Sequence, residues 1–458
     1  MNRNTAILLA ALLLVVTTAL SACSESGNNK RVDSKYAGDS EAAEDGLEAE
    51  PFTMTIRHTQ VGESKKFRLA LLKDVIRQTE ADVPGLQIDF DPVEDNANRF
   101  TKLPAEMTAG NPPQIFDLFG GMADAVKYAK AGRLLDLTPI IEELGLKDSF
   151  IDLSQYTVDG RVYGLPIGTS QEGFFYNKKL FAELGLRVPA TMEELEHIME
   201  QLKQENIVPI AMASKATWVP VMLLNTMMAR YAGEHIMPGF MAGTVKWNSP
   251  EIVAAWEKYN EWQAKEYFTK GELGYEYIEM RNQLLTGKAG MMFDGSWASS
   301  VFTDPQQAGD MIGSIGYFAM PSVPGGKGDQ TAVNANLSNG YGFSSNLNEQ
   351  ELKAVKAFIQ NMYNVDMQIR GLKEDNVLPS FKIDQDLKSL VEAPLLKEVL
   401  DVQAKAGEVF PVFDAFVQSE VNKEVELGLA QIIAGKGKAD PVKILNRIQA
   451  VQDKANRK

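Results

Sequence analysis

Few side chains in this 458-residue sequence stand out as reagents. Of its three histidines, His58 ends a strand-like run and His235 stands alone. His197 lies three residues after Glu194, a spacing that can hold a metal, but one pair without further ligands describes an exposed helix side better than a metal site. No G-x-S-x-G elbow, complete P-loop or G-x-G-x-x-G fingerprint occurs, and "GKAG" at Gly287 lacks the Ser or Thr that would hold magnesium. The 61 acidic residues leave a glycosidase carboxylate pair open, yet no pair rises above that background. No catalytic residue, metal or cofactor is therefore assigned.

Binding chemistry is easier to find. "FDGSW", Phe293–Trp297, follows the apolar "AGMM" and reads as a strand end turning sharply into a helix. At such a lip Asp294 can accept hydroxyl protons and Trp297 can cover an apolar face; a core tryptophan beside a helix cap is the other reading. Trp218, in "SKATWVP", follows a predicted strand with the same two readings. Gln171 and Glu172 fall in a predicted loop before "GFFYNKKLF", where plain surface polarity is the alternative. Trp256, Tyr259 and Trp262 share one helix with Ile252 and are expected to pack in a core.

The elements that must position these residues begin at Phe52. "FTMTIRH" and "LQIDF" read as strands around a helix over Ser64–Thr79, whose Phe67, Leu71, Leu72, Val75 and Ile76 share one side. A helix over about Asn96–Ala109 leads to the strand "PQIFDLF". This alternation with short links predicts a parallel sheet with right-handed crossovers, whose ligands sit beyond the carboxyl ends of its strands. Thr59, Asp117 and Phe119 fall there.

Asp159-Gly160 marks a two-residue hairpin turn. Thr191 with Glu194 and Asn348 with Glu351 are capping-box patterns, and Ser249-Pro250 is a cap followed by a first-turn proline. "IVPIAMA" is a further strand. Gly and Pro punctuate the loop at 321–328, and no internal repeat is found.

The single cysteine, Cys23, follows an apolar run, Ala6–Leu20, headed by Arg3. That run has secretory length and is too short for a comfortable membrane span. Leu20-Ser21-Ala22-Cys23 looks like a lipobox, at which a bacterial lipoprotein is lipidated on cysteine and cut just before it. Ser24–Glu50 is acidic and poor in large apolar residues, so it is expected to stay disordered. As a flexible coil it reaches about 30 Å, enough to hold a folded body clear of a membrane. A net charge of −15 argues against nucleic acid and anionic headgroups as partners. The hydrophobic share of 45% suits a globular body. No later apolar run reaches the roughly 18 residues of a membrane span.

Five stretches together resemble a family, the extracellular solute-binding proteins of ABC importers, of the carbohydrate-binding type that includes maltose-binding protein. They are "NPPQIFDLFGG…YAKAGRLLDLTP" (Asn111–Pro139), "DGRVYGLPIGTSQEGFFYNKKLFAELGL…VPATMEEL" (Asp159–Leu195), "GKAGMMFDGSW" (Gly287–Trp297), "NGYGFSSNLNEQELKAVKAFIQNM" (Asn339–Met362) and "GLAQIIAGKGKADPVKILNRIQ" (Gly428–Gln449). The resemblance implies an α/β, two-lobed, type II periplasmic-binding-protein-like fold, each lobe a mostly parallel sheet flanked by helices, with a hinge between. It implies a signal peptide over 1–22, a linker over 23–50 behind lipidated Cys23, a first lobe of 51–165 with 312–365, and a second of 166–311 with 366–458.

The function it implies is capture of a sugar in the cleft and delivery to an ABC permease, by a monomer tethered outside the cell membrane. A secreted glycoside hydrolase or lyase, or a sugar-sensing lipoprotein, is the alternative. Trp297 matches the family's stacking tryptophan, Trp218 an aromatic opening a cleft helix, and Asp294 a position that often faces the ligand. Gln171 and Glu172 fall near a hinge-side polar contact, Asp117 and Phe119 near a first-lobe sugar loop. Met192 replaces a tryptophan frequent in the family block, at a packing position.

Overall fold

The computed structural model describes residues 50–457. The signal region, Cys23 and the linker before residue 50 lie outside the described residues. The chain opens with β1 (Phe52–His58), α1 (Lys66–Asp82), β2 (Leu86–Pro92), α2 (Leu103–Ala109) and β3 (Ile115–Phe119). A hairpin, β4 (Thr157–Val158) with β5 (Arg161–Val162), precedes β6 (Leu165–Pro166) and β7 (Ser170–Asn177). Then come α3 (Met192–Gln204), β8 (Val208–Ala211), α4 (Trp218–Ala232), α5 (Pro250–Ala264), α6 (Tyr277–Leu285) and β9 (Ala289–Gly295). Strands β10 (Ile315–Phe318), β11 (Val333–Asn336) and β12 (Asn339–Phe343) lead to α7 (Glu349–Met362) and α8 (Val365–Asp375). The last elements are α9 (Pro394–Lys405), β13 (Val409–Phe410), α10 (Ser419–Gly435) and α11 (Pro441–Ala455).

Local chemistry explains most boundaries. Leu71, Leu72, Val75 and Ile76 of α1 are buried on one side, as their spacing predicts. Asp159 and Gly160 both have positive φ (51° and 77°), which a twisted two-residue hairpin turn requires. Asn348 and Glu351 cap α7 reciprocally. At α3 only half of the expected pattern forms. The Thr191 hydroxyl accepts from the Glu194 amide, but the Glu194 carboxylate accepts from Ala190, one residue earlier. The helix expected over 96–109 is divided: a π-helical turn, Asn98–Lys102, precedes α2. Pro104 offers no amide to the turn before it, and the widened turn aims Asn98 and Arg99 at the end of β3.

Two sheets result. The first has the order β2-β1-β3-β12-β6, with β1, β2 and β3 parallel and β12 antiparallel to β3. Its core packs Met54, Ile56, Ile115 and Tyr341 against Val75 of α1 and Phe358 of α7. The second has the order β13-β11-β7-β9-β8, and β10 also pairs with β7. Here β7 runs antiparallel to β9, β10 and β11, because it enters directly from the first sheet rather than through a helical crossover. Its core is larger and takes Trp256, Tyr259 and Trp262, each fully buried, together with Met192. The segment 312–365 is divided between the sheets: β10 and β11 lie in the second, β12 and α7 with the first. Helix α8 follows α1, where Arg68 and Asp375 form a buried ion pair at 2.7 Å.

The chain crosses between sheets three times: at residues 167–169, leaving β6 for β7; at 337–338, leaving β11 for β12; and between α8 and α9, on the way to β13. The first two crossings are fastened together: Ala335 pairs with Gln171 and Asn336 with Ser170. Ser338 O accepts from the Gly120 amide at 2.7 Å and from the Tyr156 hydroxyl. The lobes also meet where Met122 N donates to Ala415 O at 2.9 Å and where Lys66 pairs with Asp304 at 2.6 Å.

A buried acid stitches the second core beside β8. Glu272 accepts from the Ser214 hydroxyl and, at 2.8 Å, from the Gln263 amide. Burial pushes its carboxyl up from 4.5 to about 7. Folding therefore favours the protonated form, and the stability this contributes is complete below pH 4.5 and lost as pH rises through about 7. Unfolding free energy is expected to fall between pH 5 and 8 by up to about 3 kcal/mol from this group. Glu272→Gln keeps both partners and should flatten that slope in urea titrations; an unchanged slope refutes the assignment.

Candidate functional site

The carboxyl ends of β8 and β9 carry the aromatic residues. The chain turns at Gly295 into a short 3₁₀ turn that presents Trp297. The indole folds back over Gly295, so a side chain at 295 would fall inside the ring. Trp218 is the first residue of α4, which follows β8. Between the two indoles stands Tyr277, the first residue of α6. Its ring lies 4.8 Å from that of Trp218, and the two indoles are 6.4 Å apart, tilted edge to face. All three rings are half-buried.

Hydrogen bonds hold this cluster. Trp297 Nε1 donates to the Tyr277 hydroxyl at 2.7 Å. That hydroxyl faces the Asp294 carboxylate, with Oδ1 and Oδ2 at 2.7 and 2.8 Å. Arg281, one turn after Tyr277, donates to the same hydroxyl through Nη2 and to Asp294 Oδ2 at 3.2 Å through Nε. Its guanidinium also lies over the Tyr277 ring, 4.4 Å from the centroid. The Gly295 amide donates to Asp294 Oδ1 at 2.8 Å. Burial pushes the Asp294 carboxyl above its ordinary value, and Arg281, Tyr277 and the Gly295 amide pull the other way.

Asp294 is thus fully buried with both oxygens engaged. The open lip at which it would take hydroxyl protons is not there; the side chain is turned inward to Arg281 and Tyr277. Tyr277 and Arg281 were missed from sequence. The signal for them is Glu276 with Glu279, a capping box that opens α6 with Tyr277 at its first position and Arg281 four residues on.

Gln171 and Glu172 are not in a loop. Both lie in β7 and are buried, with Glu172 paired to Gly295 across the ladder. The alternating signal of a strand is hidden there because both faces of β7 are covered. The Gln171 amide donates to Ser296 Oγ at 3.2 Å and its side chain to Val399 O at 2.6 Å. The pair therefore adjoins the turn that carries Trp297.

At the first sheet, Thr59, Asp117 and Phe119 gather at the carboxyl ends of β1 and β3, as the topology rule predicts. The Thr59 amide donates to Asp117 Oδ2, and Lys65 Nζ donates to Thr59 O at 3.1 Å. Burial pushes the Asp117 carboxyl up to about 6, against the Thr59 amide. The Arg99 guanidinium stacks on Phe119, 3.4 Å from the ring centroid, and donates to Asp124 at 3.0 Å. Asn98 donates to Asp117 O at 3.3 Å. No hydrogen bond or ring contact joins Thr59, Asp117 and Phe119 to Trp218, Trp297 and Asp294 among the described residues. A separate cavity of about 270 Å³ lies where the lobes meet, lined by Gly121, Met122, Gln155, Ala415 and Phe416. No group of three or more potential metal ligands occurs among the described residues.

This arrangement of two crossed sheets has close counterparts. The model of the bacterial extracellular solute-binding protein family matches residues 67–369. The chain is 45% identical to a chitin oligosaccharide binding protein of known structure, with a TM-score of 0.81 over 88% of this chain and 99% of that one. A maltose-bound MalE3 of T. maritima shares the fold at 20% identity, with a TM-score of 0.71 over 88% of this chain and 99% of that one. The multiple sugar-binding protein of Streptococcus mutans is 24% identical over 69% of this chain and 76% of its own length. The diacetylchitobiose binding protein DasA of Streptomyces coelicolor is 23% identical over 75% and 77%. The chain belongs to the bacterial extracellular solute-binding protein family.

Proposed function

We propose that this protein captures an N-acetylated, chitin-type oligosaccharide between its lobes and passes it unaltered to an ABC permease from the outer face of the cell membrane. The observation that carries the sugar class is the 45% identity to a chitin oligosaccharide binding protein. The likeness to a diacetylchitobiose binding protein supports it. The site supports a sugar in general. A saccharide presents hydroxyls around its rim and C–H patches on its faces. Trp218 and Trp297 offer rings for the faces. Thr59, Asp117 and Phe119 offer polar and aromatic contacts from the other lobe, with Gln171 and Glu172 between. Asp294 serves by positioning Trp297 through Tyr277.

Each buried sugar hydroxyl must find a partner or cost about 1–3 kcal/mol. Closure of two lobes satisfies opposite sides of one ligand at once. The ligand shifts the open–closed balance only by its preference for the closed form. Binding needs no covalent step, so the ligand leaves as it came. The lipidated Cys23 is the proposed mooring, and the acidic body stays a monomer that avoids nucleic acid.

Calorimetry against chito-oligosaccharides and maltodextrins of equal length tests the reading, with mass spectrometry of the ligand after overnight incubation. Tighter binding of the N-acetylated series and an intact sugar are expected. Failure to bind any chito-oligosaccharide sinks the sugar class, and fragments would make the protein a hydrolase. Trp297→Ala should weaken that binding by about 1–3 kcal/mol, as for a desolvated aromatic anchor; unchanged affinity removes the residue from the site. Cys23→Ser should release the protein from the membrane fraction, and continued retention would dismiss the anchor.

A further inference from the structure

One row of side chains crosses the second sheet on a single face. Asn334 of β11 pairs with Phe410 of β13, and Ala335 pairs with Gln171, which sets Asn334 opposite Glu172 of β7. Glu172 in turn pairs with Gly295 of β9. Residues paired across a ladder share a face, so the row reads Phe410, Asn334, Glu172 and then the Trp297 indole lying over Gly295. At the usual spacing of strands, Asn334 is about 10 Å from Gly295.

Asn334 is fully buried, and neither its Oδ1 nor its Nδ2 has a hydrogen-bond partner. Helix α4 brings Asn225 alongside, and Thr226 is its buried neighbour in the same helix. Asn225 Nδ2 donates at 3.4 Å to the carbonyl of Pro411, the residue after Phe410. Asn225 Oδ1 and Thr226 Oγ1 are also buried without partners. Beside them Phe410 packs with Ala229, one turn along α4, and with Ala332, two residues before Asn334. Four orphaned polar atoms next to a small separate apolar cluster do not describe a finished core, since buried polar groups are ordinarily paired.

We propose that Asn334, with Asn225, Thr226 and the cluster of Phe410, Ala229 and Ala332, forms a subsite for the acetamido group of an N-acetylated sugar. A carboxamide offers one N–H face and one C=O face, and an acetamido group presents the complementary C=O and N–H. Thr226 and Asn225 Oδ1 supply further acceptors, and the methyl finds Phe410 and the two alanines. A sugar ring against Trp297 would lie at the other end of the row. The segment after β13 meets Asn225 at Pro411, and it also carries Ala415, whose carbonyl accepts from Met122 of the first lobe. Access therefore follows separation of the lobes. The inference rests on the chitin-type reading above.

The test is calorimetry of the full chain with N,N′-diacetylchitobiose and with cellobiose, which has hydroxyls in place of both acetamido groups. Wild type is expected to favour the acetylated disaccharide by about tenfold or more. Asn334→Leu should erase most of that preference by weakening the acetylated ligand alone, while the melting temperature of the unliganded protein holds or rises. Asn225→Ala is the second variant should Asn334→Leu not fold, and it should narrow the preference in the same direction. Folded variants that keep the full preference overturn the subsite and leave the proposed function standing. A wild type that takes no N-acetylated oligosaccharide overturns the proposed function, and the subsite with it.

Discussion

The Tyr277 hydroxyl has one proton and two lone pairs, and all three are used. It donates to Asp294 and accepts from Trp297 Nε1 and Arg281 Nη2. An indole has a single polar handle, so fixing that N–H fixes how the ring is turned about its attachment. Arg281 and Asp294 stand behind the hydroxyl and are themselves buried. Gly295 completes the constraint from below, since a Cβ there would enter the ring. The orientation of Trp297 thus depends on a buried charge pair. Such buried pairs are costly to assemble, and removing one partner strands the other.

The same logic places the two halves of the site. Each cluster stands at the carboxyl ends of strands, where backbone direction and not side-chain chemistry sets the position. In the first sheet Asp117 is held by the Thr59 amide across neighbouring strands. In the second, β7 joins both regions. It leaves the first sheet beside β6, pairs Glu172 with Gly295, and carries Gln171 against Ser296. The chain joins the lobes at 167–169, at 337–338 and between α8 and α9, and the strands flanking the first two crossings are paired at Ser170–Asn336 and Gln171–Ala335.

Much of this was legible beforehand, and the misses have physical causes. Period-two and period-3.6 patterns made β2 and α1 legible, because each has one wet face. The Asp159-Gly160 turn and the Asn348–Glu351 box were legible because they are local chemistry. The division of 98–109 was not: a π-helical turn depends on what Asn98 and Arg99 reach at the end of β3, which is a tertiary fact. Gln171 and Glu172 passed for a loop because a strand covered on both faces has no alternation to show. The inward pairing of Asp294 was not legible, because a carboxylate beside a tryptophan gives no hint of an arginine on a helix elsewhere in the chain. Trp256, Tyr259 and Trp262 are legible as packing residues from their shared helix, and all three are buried.

The order in which the larger core is assembled has a consequence for biogenesis. That core joins Phe174 to Ala455, and α10 and α11 close it by packing on α5, with no room at Gly428 for more than hydrogen beside Ile444. A chain leaving the ribosome amino end first cannot finish this half until its last helices have emerged. Contacts that distant in sequence slow folding. Compaction of this half therefore waits for the carboxyl-terminal helices, whichever strands have paired before them.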